Sequence, residues 1–241
     1  MSQSDWAYLS NDLIYVALAL YALSFLSYTY ETAFSLRANK ISGDKHLDRS
    51  ITTKSRKVAS IVFLLATASL TLAVIARGIS AERIPLGNMY EYSITGAMTF
   101  ALAYLLIGIK YDLSWLGLPS SILILLILGT AITLLYRPSA PLVPALQSSW
   151  LVIHVSSAIL SGGIFLLSNT VAGAYLWLDR IERKGVRGEF AKRFPSLESL
   201  DQLSYRLVAF VFPLWTFAVI SGAIWAEAAW GRYWGWDPKE T

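Results

Sequence analysis

The stretch "WLVIHVSSAILSGGIFLLSNTVAGAYLWL", residues 150–178, contains no Asp, Glu, Lys or Arg. A helix needs about 20 mostly apolar residues to cross a bilayer, and this stretch exceeds that length. Elsewhere in the chain, five further stretches are also long and mostly apolar. The predicted spans are about 12–34, 57–77, 93–109, 118–136, 150–178 and 204–229. We therefore predict an all-α, polytopic integral membrane protein with about six transmembrane helices, forming a single membrane domain over 1–241.

The composition agrees with a chain that lies largely in lipid. Hydrophobic residues make up 55% of it and charged residues 15%, whereas soluble domains carry roughly 25% charge. There is no cysteine, which excludes disulfides, a thiol nucleophile and a cysteine-ligated zinc site within this sequence. The only two histidines are His46 and His154, so a metal site built from this sequence alone has few ligands.

Lys and Arg are distributed unevenly between the two sides that six spans define. Fifteen fall on one side and five on the other. The fifteen are Arg37, Lys40, Lys45, Arg49, Lys54, Arg56, Lys57, Lys110, Arg180, Arg183, Lys184, Arg187, Lys192, Arg193 and Arg206. Because basic residues are retained in the cytoplasm, this bias predicts that the N-terminus lies outside. It also predicts that 79–92, 137–149 and the C-terminal aromatic run lie outside together.

Two segments of this pattern have simple interpretations. No Lys or Arg precedes the first span, so we interpret it as a retained helix rather than a signal peptide. His46 lies between Lys45 and Arg49 in a basic segment, where we expect a solvated surface histidine.

His154 follows Trp150 by four residues in span five. One helical turn places it about 6 Å deeper on the same face. Two interpretations remain open: hydrogen bonding to a neighbouring helix or water, and ligation of a metal or cofactor near the outer membrane edge. The outer segment before span three places Asn88, Tyr90 and Glu91 at the same edge, where Glu91 can orient a histidine, pair with an arginine or be hydrated.

The chain ends in "WGRYWGWDPKET", residues 230–241, which is crowded with aromatic rings. An interfacial aromatic belt accounts for Trp225 and Trp230, but it accounts less well for the whole run. Gly231 and Gly235 allow a sharp turn or the close approach of a flat molecule. The rings that then offer their faces to a planar apolar ligand such as a porphyrin are those of Trp230, Tyr233, Trp234 and Trp236.

The last residues, "DPKE", have the pattern of a helix start. Asp237 suits the N-cap, Pro238 the first helical position, and Glu240 completes a capping box. The pattern predicts that the WWD-containing segment 230–241 is incomplete and that a longer chain continues from it.

The motif in 230–241 resembles the WWD motif of the haem-handling cytochrome c assembly proteins, the CcsA/ResC and CcmC/CcmF group. Three further stretches resemble the CcsA/ResC branch, so the resemblance covers spans two to six. They are "IPLGNMYEYS" (84–93), "YRPSAPLVPALQSSWLVIHVSSAI" (136–159) and "AFVFPLWTFAVISGAIWAEAAWGRYWGWDPKET" (209–241).

The resemblance implies a haem-handling subunit of a system II cytochrome c synthase in a bacterial cell membrane. Such a subunit presents haem b at the extracytoplasmic face for attachment to the CxxCH motif of an apocytochrome c, jointly with a ResB/CcsB-type partner. It acts as part of a haem lyase. His154 stands where the family has its first outer haem-iron ligand. The cofactor-binding residues implied on the WWD segment are Trp230, Gly231, Trp234, Gly235, Trp236 and Asp237.

The sequence departs from the family in one respect. The second outer histidine and a histidine within the membrane belong to spans that follow the WWD segment, and here His154 is the only plausible iron ligand. We therefore expect weak or no haem binding by this chain alone.

Other functions were weighed against this one. A transporter usually carries ionisable groups near the bilayer midplane, yet Glu31 and Asn169 look isolated. A quinone or b-haem anchor needs histidine pairs on facing helices. A non-catalytic assembly subunit, whose aromatic residues form a protein interface, remains the strongest alternative.

Overall fold

The computed structural model describes residues 1–41, 45–139, 148–185, 188 and 190–235. Within these residues the fold is helical and contains no strand. The six long helices are α1 (Gln3–Ile41), α2 (Lys45–Ala81), α3 (Met89–Gly108), α4 (Gly117–Leu134), α5 (Ser149–Arg183) and α6 (Leu197–Trp230). Short 3₁₀ turns, Ser114–Leu116 and Ala191–Arg193, precede α4 and α6. The all-α membrane fold is confirmed.

Helices α1 and α2 form an antiparallel hairpin that small hydroxyl side chains hold together. Ser10 Oγ donates to the Ala73 carbonyl at 2.8 Å, and Ser24 Oγ donates to the Ala59 carbonyl at 3.0 Å. Deeper in the pair, the Tyr21 and Thr67 hydroxyls lie 2.9 Å apart. Small residues allow close helix approach in membranes, and their hydroxyls add interhelical hydrogen bonds.

Helices α5 and α6 form the second hairpin, and α3 and α4 lie between the two hairpins. Helix α3 packs on α5 where a Cβ added to Gly163 would lie 2.5 Å from Thr99 Oγ1. Helix α4 packs on α1 where a Cβ added to Gly117 would lie 2.4 Å from the Tyr28 ring. Glycine at these two crossings lets the central pair contact both hairpins.

The alternation of the helices creates two ends of the bundle. The end of the bundle where α2 leads into α3, where α5 begins and where α6 ends is called the His154 end. We call the other the basic end. The alternation of the six helices places 79–92, the described part of 137–149 and 230–235 at the His154 end. Two hydrogen bonds join other helix ends there. Asn11 Nδ2 donates to the Tyr136 hydroxyl at 3.0 Å, and Ser80 Oγ donates to the Gln3 carbonyl at 3.0 Å.

The prediction of about six transmembrane helices agrees with the structure: five of the six described helices are long and apolar enough to cross a membrane, and α3 carries Tyr90, Glu91 and Tyr92 in its first turns. One expectation needs correction. The predicted basic loop between spans one and two is mostly helical, since α1 extends to Ile41 and α2 begins at Lys45. Lys, Arg, Ala and Leu, which are good helix formers, make up nine of the 19 residues in 35–41 and 45–56.

Candidate functional site

His154 is held by α6 through one of its two ring nitrogens. Its side chain is half-buried, and Nδ1 lies 2.7 Å from the carbonyl oxygen of Ala218. A carbonyl oxygen only accepts hydrogen bonds, so Nδ1 carries the proton and donates it. The lone pair of the neutral imidazole is then on Nε2, the nitrogen that a metal ion or a proton can bind.

The imidazole lies directly against the backbone of α6. A Cβ added at Gly222 would lie 2.6 Å from both Cε1 and Nδ1 of His154. Real Cβ atoms essentially never approach other heavy atoms this closely, so any larger residue at this position requires the ring to move. The absence of a side chain at Gly222 is therefore what allows His154 to reach the Ala218 carbonyl.

Trp225 and Trp230 extend the site along α6 towards the chain end. The Trp225 ring is parallel to the His154 ring within 8°, with centroids 6.5 Å apart. Trp230 meets Trp225 at 4.8 Å and an interplanar angle of 63°. The indole Nε1 of Trp225 is buried and has no hydrogen-bond partner among the described residues. The three rings are not one flat stack: the parallel pair of His154 and Trp225 is followed by the Trp230 ring, which is turned away from it.

The tail after α6 folds back on the helix end. Gly231 has φ 70° and ψ 20°, and its N–H donates to the Glu227 carbonyl at 2.7 Å, which ends the helix in a left-handed turn. A hydrogen bond to Glu227 raises the pKa of the exposed Tyr233 hydroxyl. A Cβ at Gly235 would lie 2.5 Å from the Arg232 guanidinium. A sharp turn is therefore observed at Gly231, whereas the group close to Gly235 is a side chain of the tail; the approach of a flat molecule stays a prediction.

A buried ion cluster forms the neighbouring wall of the His154 end. Glu91 is fully buried and accepts hydrogen bonds from Arg77 Nε at 3.1 Å and Arg83 Nη1 at 2.8 Å. Its carboxylate also accepts the Gly87 N–H at 2.8 Å. Asn88, as the sequence predicts for this edge, caps α3 by accepting the Glu91 N–H. Of the three roles considered for Glu91, pairing with arginine is the one observed, and hydration is excluded by its burial.

Arg77 connects this cluster to the segment that leads into α5. Its guanidinium is 1% exposed and donates from Nη2 to the Arg137 carbonyl at 2.6 Å. The same guanidinium carbon lies 5.3 Å from the centre of the Tyr90 ring, close enough for a cation–π contact. The start of the 137–149 connection is thereby fixed to α2 and α3.

Several predicted site residues remain predictions. Trp236, Asp237 and the predicted capping box lie outside the described residues. Trp234 is described and is 56% exposed at the chain end. Among the residues that the structure describes, no three of His, Cys, Asp and Glu come together as a metal site.

Residues that sequence reasoning missed are those of α6 that face His154. Ala218, Gly222 and Trp225 lie four and three residues apart, which places them on one helix face. Two small residues followed by a large aromatic one on such a face indicate a pocket for a bulky partner side chain. That signal was available, but Trp225 was assigned to an interfacial belt.

Glu31 was interpreted as isolated, and the structure corrects this. It is 1% exposed and forms ion pairs with Arg56, at 3.1 Å, and with Arg193. Arg56 belongs to α2, while Arg193 belongs to the connection before α6. Arg193 is so distant in sequence from Glu31 that no local pattern indicates their contact.

Comparisons with known proteins agree on one family. A family model described as cytochrome c assembly protein matches residues 86–241. Similar proteins include the cytochrome c biogenesis protein CcsA of Guillardia theta, 36% identical over 198 residues, which are 74% of this chain and 65% of the relative. Its counterpart in Porphyra purpurea is 30% identical over 223 residues, covering 77% of this chain and 70% of the relative.

A bacterial relative belongs to the same group. The CcsA protein of Prochlorococcus marinus is 33% identical over 212 residues, covering 76% of this chain and 67% of the relative. The chain thus spans about two thirds of the length of the relatives that it matches, and 65% of the Guillardia theta protein. With its long apolar helices and this match over more than half of its length, the chain belongs to the cytochrome c assembly protein family, as a multi-pass membrane protein of the CcsA type.

Proposed function

We propose that this protein presents haem b at the extracytoplasmic side of a bacterial cell membrane for attachment to the CxxCH motif of an apocytochrome c. In this proposal His154 is an axial ligand of the haem iron. The observation that carries it is the hydrogen bond of 2.7 Å from His154 Nδ1 to the Ala218 carbonyl. Histidines that bind metals commonly donate their other ring N–H to such a carbonyl, which fixes the tautomer and the ring orientation.

The indole rings suit different tasks around such a haem. Trp225 lies parallel to the His154 ring within 8° and would support the imidazole that holds the iron. Trp230 is turned by 63° from Trp225 and would offer a ring face to the porphyrin. Trp230 and the following aromatic run, with Trp234, Trp236 and Asp237, would then border the porphyrin.

The chemistry of attachment belongs to haem and to the apocytochrome thiols, which add across the vinyl groups. The protein supplies position and electrostatics. His154 would hold the iron and influence its redox state. The buried Glu91 cluster keeps the beginning of the 137–149 connection in place against α2 and α3. Joint action with a ResB/CcsB-type partner, as part of a haem lyase, completes the proposal.

The test is replacement of His154 in cells that need this protein to mature cytochrome c. His154→Gly should lower the amount of haem-stained cytochrome c to background, and added imidazole should restore part of it by filling the vacant coordination position. A matched control is His46→Gly, the other histidine of the chain, which should leave maturation unchanged. Normal maturation in His154→Gly, at normal protein level, contradicts the proposed ligand.

A second candidate function is a protein interface without haem. It is favoured by the exposure of Trp230, Tyr233 and Trp234, which are 46%, 57% and 56% exposed. Exposed aromatic clusters often dominate binding energy in interfaces. Replacing Trp230 and Trp234 by Ala separates the two functions: loss of haem with a retained membrane complex supports haem presentation, and loss of the complex supports an interface.

A further inference from the structure

A cavity of about 260 Å³ lies at the basic end of the bundle, opposite the His154 end. It is enclosed by α1, the turn Ser114–Leu116, the start of α4, the second half of α5 and the connection before α6. Four aromatic rings pack against one another along its wall, with centroids 5.2–5.6 Å apart. They are Trp115, Trp177, Phe190 and Phe194.

The cavity has an apolar interior and one charged end. Glu31 and Arg193, which form an ion pair, mark the end near the helix connections. From there the lining continues along α5 from Trp177 to Thr170, a distance of about 10 Å at 1.5 Å per residue. The most exposed residues of its rim are apolar: Ile122 is 39%, Trp177 38% and Phe190 36% exposed. The opening is therefore compatible with lipid, and the charged end lies at the helix connections, where Arg193 is 16% exposed.

An apolar space that opens to a bilayer needs an apolar occupant. Water is a poor candidate because a water molecule requires two to four polar partners, and this wall provides few. A hydrocarbon chain gains dispersion contacts with the rings and loses no hydrogen bonds. Fifteen of the 20 Lys and Arg residues fall on this side of the predicted spans, which favours an occupant with a negatively charged head group.

We propose that this cavity holds the acyl chain of an anionic amphiphile, with its head group beside Arg193 and its chain among Trp115, Trp177 and Phe194. The head group can be the phosphate of a membrane phospholipid or the carboxylate of a free fatty acid, since both present the same chemistry to a guanidinium. The site uses no residue of the His154 end and does not depend on the proposed haem function.

Native mass spectrometry of the purified chain in detergent tests the proposal. We expect one retained amphiphile on the wild-type protein, and its mass distinguishes a phospholipid from a fatty acid. Ala174→Phe places a ring in the cavity and should lower the retained fraction by about tenfold or more. Leu176→Phe, on the same helix but 65% exposed and outside the cavity, should retain it.

A second measurement does not depend on the folding of Ala174→Phe. Dibrominated phosphatidylglycerol and bromostearate quench tryptophans that they contact, and titration of either into the detergent-solubilised protein should quench Trp177. The saturable part of the quenching should shrink in Trp177→Phe and not in Trp215→Phe, whose ring lies on α6 outside the cavity. Equal retention in Ala174→Phe and wild type, no retained amphiphile, a retained haem, or a zwitterionic lipid bound equally well would each overturn the proposal.

Discussion

Glu91 and Glu31 are both buried carboxylates bound by two arginines, and they lie at opposite ends of the bundle. Glu91 contacts Arg77 and Arg83, which precede it by only 14 and eight residues. Glu31 contacts Arg56 and Arg193, which follow it by 25 and 162 residues. The first cluster closes a local corner between α2 and α3, whereas the second joins the first hairpin to the connection before α6.

The two clusters also differ in their access to water. Arg77 is 1% exposed and Arg83 15%, so the Glu91 cluster is largely shielded from water. Arg56 is 44% exposed, so the Glu31 cluster is partly hydrated, and it borders a cavity. The difference predicts that the Glu91 cluster contributes more to stability than the Glu31 cluster.

The largest expected effect is that of Glu91→Gln. It leaves the Arg77 guanidinium buried without a counter-charge, which should cost about 3–5 kcal/mol of stability. Thermal unfolding in detergent measures this loss. Glu82→Gln, which changes an exposed carboxylate in the connection between α2 and α3, is the control and should change stability by less than about 0.5 kcal/mol. Equal stability of the two variants would show that the Glu91 cluster is not structurally important.

Glu31→Gln should have a smaller effect on the same measurement. We expect a loss of about 2–3 kcal/mol, because the exposed Arg56 can hydrate once the carboxylate charge is removed. Asp201→Asn is the control at the same end, since its side chain is exposed. A loss as large as that of Glu91→Gln would contradict the contrast drawn between the two ends.

Gly222→Ala tests whether the position of the His154 ring against α6 matters, without changing the histidine itself. The new Cβ would lie 2.6 Å from the ring, so the Nδ1 hydrogen bond to Ala218 should be lost. Loss of such a supporting contact typically lowers metal affinity or activity by about 10–100-fold. Cytochrome c maturation per molecule of protein is the measurement. Gly162→Ala is the control, because nothing lies within 4 Å of its added Cβ. Normal maturation in Gly222→Ala would mean that His154 acts from another position.

Trp225→Phe should have the smallest effect. The phenyl ring keeps only part of the contact with His154, so we expect a loss of about 0.5–1.5 kcal/mol. The buried Nε1–H that it also removes has no partner among the described residues and adds nothing to this loss. Haem affinity in titrations of the purified protein measures this loss. Trp215→Phe, on the same helix and in contact with Phe165, should leave haem affinity unchanged. If Trp225→Phe binds haem as tightly as the wild-type protein, the parallel indole ring contributes nothing to haem affinity.

The features that the sequence predicted depend on local patterns. The length of the apolar stretches predicted the spans. The distribution of Lys and Arg predicted that three segments lie at the same end, and Asn88 was placed at the edge of span three. The partners of His154 were not predicted, because they depend on the rotation of α6 about its own axis relative to α5. A change of one residue in that rotation replaces Gly222 and Trp225 by other neighbours. The contact of Glu31 with Arg193 likewise depends on how the two hairpins assemble.

The central claim is that His154 presents Nε2 to haem iron while Ala218 holds Nδ1. Absorption titration of the purified chain with haem, at concentrations high enough to populate a weak site with one axial histidine, tests it most directly. The account predicts a shifted Soret band in the wild-type protein, no such shift in His154→Gly, and its return on addition of imidazole. Identical titrations for the wild-type protein and His154→Gly would contradict it.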